Sequence, residues 1–132
     1  MLQISNGQMA ALRALRHAAF ALWLRDYVRR NDPSIVAAWS DDALVEGLQI
    51  AIRRATRYGI TEPVSVAEYF SAMVLHGPMF DELPLVHALL TNPAVPPNAR
   101  IHDVFRRASA EKWTTADRTS AAWWPDAVQA AE

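Results

Sequence analysis

Asp81 and Glu82 are the residues of this chain that most invite a chemical reading, because two carboxylates can divide general-acid and general-base work. They stand in the segment LHGPMFDELP, residues 75–84. For that chemistry both must face one substrate, and adjacent residues of an extended segment point apart. No Gly-x-Ser-x-Gly elbow, phosphate-binding loop or dinucleotide fingerprint accompanies them. The four histidines are His17, His76, His87 and His102; no two have the i,i+4 spacing of a helical metal site, and no HExxH motif occurs. His76 and His87 would meet Asp81 or Glu82 only across the loop. The chain has no cysteine, which removes thiol nucleophiles, disulfides and Cys-type zinc sites together. The sequence therefore leads to the expectation of no catalytic residue, no metal and no cofactor.

A second cluster is basic. In RRATRYGI, residues 53–60, Arg53 and Arg57 lie four apart on one helical face with Arg54 beside them. Like charges at that spacing repel mildly, so an acidic neighbour or an anionic ligand would help. Cations near a helix C-terminus are also favoured by its dipole. An intramolecular acid is the first expectation. Asp81 is expected to bond an arginine of the cluster, with Arg53 and Arg57 the natural partners, Phe80 plugging the core and Glu82 at the rim. Nucleic acid is disfavoured as the ligand: the patch is short, no RNP-like loop accompanies it, and the chain carries a net charge of −1. Residues 33–58 imitate a helix-turn-helix, but the second helix opens with Asp41, Asp42 and Glu46, where a recognition helix would approach phosphates.

These residues need helices to position them. From a capping box at Ser5 and Gln8, apolar residues recur at helical spacing to about Arg30: Met9, Leu12, Leu15, Ala19, Phe20, Trp23, Leu24 and Tyr27. Asp32 and Pro33 start a short helix through Trp39. SDD at 40–42 caps a third helix running to about Tyr58, with Leu44, Val45, Leu48, Ile52 and Ala55 inward and Gly59 as its left-handed terminator. Ser65 with Glu68 reads as another capping box, opening a helix that Gly77-Pro78 stops. A shorter helix covers Pro84 to Leu90, PAVPPN is a stiff connector, and a last helix spans about Asn98 to Lys112 with Asp103 and Arg107 placed to pair. No stretch has the alternation of a strand. The expected fold is all-α, a compact single-domain bundle of five or six helices over residues 1–112.

Residues 113–132 differ, being Ala-rich and poorly periodic yet carrying Trp113, Trp123 and Trp124. So many large aromatics argue against a wholly disordered tail. The tail is expected to dock, on its own bundle in preference to a partner. Apolar residues make up 52% of the 132, enough for a real core. Eight Arg face five acids in residues 1–60, and five bases face nine acids in 61–132, a division that suits contact between the halves or a polarised surface. MLQISNGQ lacks the basic and apolar regions of a signal peptide, no stretch is long and apolar enough to span a bilayer, and a cytoplasmic location is expected.

RRATRYGI, VAEYFSAMVLHGPMFDELP (66–84) and ARIHDVFRRA (99–108) together resemble small helical proteins encoded among bacterial type VI secretion and polymorphic-toxin genes. The resemblance covers roughly residues 8–108 and rests on Tyr58, Gly59, Ile60, Gly77, Pro78, Phe80 and Asp81, with Met79 where a polar residue would be expected. It implies non-enzymatic accessory work on another protein: an adaptor or chaperone for a secreted effector toxin, or an immunity protein that occludes one. A small nucleic-acid-binding regulator is the third reading. The candidate partner-binding residues are Trp113, Trp123, Trp124, Arg53, Arg54 and Arg57. Gly59, Gly77, Pro78, Phe80 and Asp81 have structural work.

Overall fold

The computed structural model describes residues 6–107, with side chains from Arg16 onward. Six helices follow in order: α1 (Asn6–Asn31), α2 (Pro33–Val36), α3 (Asp41–Thr56), α4 (Pro63–His76), α5 (Pro84–Leu90) and α6 (Arg100–Arg107). Single 3-10 turns at Phe80–Glu82 and Pro97–Ala99 lead into α5 and α6. Among the described residues all regular structure is helical, so the all-α fold expected from the sequence is the fold adopted. The Ser5 cap, the end of the last helix at Lys112 and the tail with Trp113, Trp123 and Trp124 lie outside the described residues.

α3 contributes seven buried residues to the core. Its start is fixed locally: the Ser40 side chain accepts the backbone N–H of Ala43 at 3.1 Å, and Asp41 and Asp42 sit at the positive end of the helix dipole. Its end is fixed by Gly59, whose φ of 76° lies in the left-handed region that a side chain would strain. Between these, Leu44, Leu48, Ile52 and Ala55 are buried. α1 and α4 both pack on α3 and also touch each other. Leu24 and Val28 of α1, Tyr69, Phe70 and Met73 of α4, Leu90 of α5 and Ile101 and Val104 of α6 complete one continuous core. Each such large side chain contributes about 1.5–3 kcal/mol when withdrawn from water.

Two arginines close the corners by bonding backbone carbonyls at helix ends and in the connections that follow them. Arg29 donates from Nη2 to Trp39 O at 2.8 Å and pairs with Asp41 Oδ1 at 2.9 Å, tying the end of α1 to the start of α3. Arg100 donates from Nε to Val95 O at 2.9 Å and from Nη1 to Leu90 O at 3.1 Å, holding the proline-rich connector against α5.

Several local expectations are corrected. α2 ends at Val36, three residues before Trp39, and the Asp32 side chain makes no capping bond there; its Oδ2 lies 3.5 Å from Ser71 Oγ instead. α4 begins at Pro63, so Ser65 is already inside its first turn and the Ser65–Glu68 capping box does not form. The cap comes from elsewhere in the chain: Asn98 Oδ1 accepts the N–H groups of Thr61 and Glu62 at 2.8 and 2.9 Å, while Ser65 donates to Asn98 O at 2.7 Å. Asp103 pairs with Arg106, one residue before the expected Arg107, because i,i+3 brings that guanidinium over it. In α1 the buried stripe is Ala21, Leu24 and Val28, with Phe20 and Tyr27 partly covered; Ala19 and Trp23 point outward. α1 lies at the edge of the bundle, where one stripe is all that packing can cover. No described helix is long and apolar enough to cross a membrane.

Candidate functional site

The end of α3 and the corner after α4 meet at Asp81. Gly77, with φ 103°, ends α4, and the chain turns through Pro78 and Met79 into the 3-10 turn. That turn drives Phe80 into the core, where its ring centroid lies 5.0 Å from that of Tyr69. The next residue, Asp81, is thereby carried inward and is 1% exposed. Its Oδ1 accepts from Arg54 Nη2 at 2.5 Å and its Oδ2 from Tyr69 Oη at 2.5 Å. The bond from Asp81 to the arginine cluster is therefore present, but Arg54 makes it, and Arg53 and Arg57 do not. α3 turns Arg54 toward the corner and leaves the i,i+4 pair in solvent. Glu82 Oε2 stands at 4.0 Å from the same guanidinium and remains 59% exposed.

Burial alone would lower the pKa of Arg54, and the Asp81 carboxylate outweighs it and holds the guanidinium above its usual value. The same environment raises both neighbouring phenols. Burial, then the Asp81 charge, pushes Tyr58 up to about 12 and Tyr69 higher still. Tyr58 lines the outer edge of the network, tilted against Tyr69 at 6.4 Å and edge-on to His87 at 6.0 Å, with Oη 3.5 Å from His87 Nδ1.

A pH dependence follows. Below the ordinary tyrosine value of 10.0 both phenols are protonated, folded or unfolded, and their contribution to stability is fully present. Above it the unfolded chain releases those protons while the folded chain keeps them, so stability falls as pH rises from about 10 toward 12. Urea midpoints at about pH 9 and about pH 11 measure this. The difference should shrink in Tyr58→Phe/Tyr69→Phe; an unchanged difference in that double variant would place its origin elsewhere.

As chemistry, the arrangement is an anchor. Both carboxylate oxygens of Asp81 are engaged, while Glu82 stays exposed with Oε2 at 4.0 Å from the same guanidinium, so both acids answer Arg54. Among the described residues no three His, Asp or Glu side chains gather as a metal site. His87 joins Tyr58, and His102 Nδ1 lies 3.1 Å from Glu68 Oε2, across α4 and α6. Burial raises the Glu68 pKa, His102 opposes that rise, and Asp32 adds to it.

Of the six residues proposed as partner-binding, Arg53 and Arg57 are exposed, Arg54 is committed to Asp81, and the three tryptophans lie outside the described residues. A concave surface went unread in the sequence. A groove of about 520 Å³ between α1, the end of α3 and the start of α4 has Phe20, Ile52, Ile60 and Val66 as its apolar lining and Arg16, His17, Thr56 and Thr61 as its polar one. It is assembled from three segments far apart in the chain, and no local pattern announces it. No protein-family model matches the chain, and neither a curated protein nor a solved structure matches it.

Proposed function

We propose that this chain is a non-enzymatic binding protein that holds a segment of another protein, as an adaptor or chaperone for a secreted bacterial effector. The observation that carries the reading is the groove: an apolar lining with Arg16 and His17 of α1 at its edge and Ile52 and Thr56 from α3, the helix that also exposes Arg53 and, just past its end, Arg57. Such a surface suits a short amphipathic segment that buries apolar side chains and presents acids to the arginines. The anchored Asp81–Arg54 corner supports it by fixing the end of α3, so that little order has to be gained on binding.

The test is co-purification with the products of the neighbouring genes, followed by affinity measurement at two salt concentrations. An effector should be captured, and Arg53→Glu/Arg57→Glu should weaken it on the order of tenfold, with a smaller salt dependence than the parent. An adaptor leaves the captured toxin active. Loss of toxin activity on binding assigns the chain as an immunity protein instead. Capture that is indifferent to the double charge reversal would remove Arg53 and Arg57 from the interface and overturn the charge-matched docking.

A further inference from the structure

Among the described residues, α1 has a second apolar stripe that the other helices leave uncovered. At 3.6 residues per turn, Arg16, Ala19, Leu22, Trp23 and Asp26 fall on one side of the helix. All five are exposed, Leu22 at 45% and Trp23 at 46%. The Trp23 ring is held in place by stacking on Tyr27, with centroids 5.3 Å apart and planes at 16°. A held, half-exposed tryptophan beside an exposed leucine is the composition of an interface centre, where fixed aromatic surface binds at low entropic cost.

The order of residues along the stripe says what fits it. A cation stands at one end, Arg16, and an acid at the other, Asp26, ten residues or about 15 Å apart. Between them a small residue, Ala19, and a large one, Trp23, are placed symmetrically about position 21. The stripe is therefore complementary to itself when reversed. In an antiparallel pair of α1 helices related by a two-fold axis near residue 21, Arg16 of each copy faces Asp26 of the other. Trp23 of each copy lies over Ala19 of the other, and Leu22 sits close to the axis. A parallel pair would set Arg16 against Arg16 and Asp26 against Asp26. An antiparallel pair centred instead between Asp26 and Arg30 would also match charges, but it would carry Trp23 past the end of the partner helix.

The geometry points to a homodimer formed by antiparallel packing of α1 on α1, with Arg16–Asp26 pairs closing both ends of a Trp23–Ala19 seam. An isologous contact of this kind is the commonest closed assembly. A seam of a few turns is small for a permanent interface, so the dimer is reversible and weak. It shares Arg16 with the groove but rests otherwise on a different part of α1, since Asp26, Ala19, Leu22 and Trp23 do not line the groove.

Sedimentation equilibrium of the full chain at low salt, from about 1 to 200 µM, tests it. A monomer–dimer equilibrium in the micromolar range is expected. Arg16→Asp and Asp26→Arg should each weaken it on the order of tenfold by setting like charges together, and Arg16→Asp/Asp26→Arg should restore it. Trp23→Ala should give monomer. Both charged residues are exposed, so circular dichroism should report an unchanged fold in every charge variant. A full chain that stays monomeric over the whole range overturns the proposal, whatever covers the stripe instead. So does a dimer indifferent to the single reversals, or a double reversal that is folded yet fails to restore association.

Discussion

Asp81→Ala should cost about 3–5 kcal/mol of stability, as expected when one partner of a buried ion pair is removed. The loss is large because the substitution strands two groups at once. The Arg54 side chain is only 16% exposed and would keep its charge with only the distant, exposed Glu82 to answer it, and the Tyr69 hydroxyl, in a fully buried residue, would lose its acceptor. A domain stabilised by about 5–15 kcal/mol would surrender a substantial fraction of that. Urea unfolding followed by circular dichroism measures it, with Glu82→Ala as the control. Glu82 is 59% exposed and 4.0 Å from the same guanidinium, so its removal should cost less than about 1 kcal/mol. Equal losses at the two positions would mean that the carboxylate of Asp81 is not the anchor. Asp81→Leu/Arg54→Met/Tyr69→Phe should recover most of the stability, because apolar groups of similar volume escape the desolvation cost that the ion pair carries and no buried hydroxyl is left without an acceptor. Recovery of stability without recovery of partner capture would assign the corner a positioning role beyond folding.

This corner was legible in part, and the division has a physical basis. Gly59 and Gly77 were visible because a helix end is written in local backbone chemistry, and both adopt positive φ. That an arginine of the cluster would meet Asp81 followed from like charges crowded at the end of α3 and an acid one helix later. Which arginine could not be read, because the rotation of α3 about its axis is set by Leu44, Leu48 and Ile52 against neighbouring helices. The cap of α4 was misread for a related reason. Ser65 and Glu68 have the right spacing, but Pro63 starts the helix earlier, and Asn98, 36 residues beyond Glu62, supplies the acceptor. α1 failed differently. Apolar residues lie all round it, so periodicity could not separate the stripe that packs, Leu24 and Val28, from the stripe that does not, Leu22 and Trp23. The groove was invisible because its lining joins α1, α3 and α4.

Trp39 and Gly47 show what else local reading passes over. Trp39 drew attention only as the end of a short helix, and Gly47 stands in the middle of α3, where glycine costs about 1 kcal/mol relative to alanine. The structure gives that cost a reason. A Cβ at position 47 would meet Trp39 Cζ3 at 2.8 Å and Phe70 Cε1 at 3.3 Å. The indole ring cannot retreat, since it is 6% exposed and packs edge-on against Phe70, with centroids 5.7 Å apart. Trp39→Ala should therefore cost about 3–5 kcal/mol, the usual loss for emptying a large aromatic site. Gly47→Ala should destabilise the parent by about 1 kcal/mol, because overpacking of about 1–3 kcal/mol exceeds the gain in helix propensity. In the Trp39→Ala background the closest obstruction is gone and the Phe70 ring has space to give, so the same Gly47→Ala should stabilise by up to about 1 kcal/mol. The sign of one substitution thus depends on whether the other residue is tryptophan, a coupling of about 2 kcal/mol that a double-mutant cycle in urea reads directly. Additive effects would mean that the glycine is there for some reason other than the ring above it.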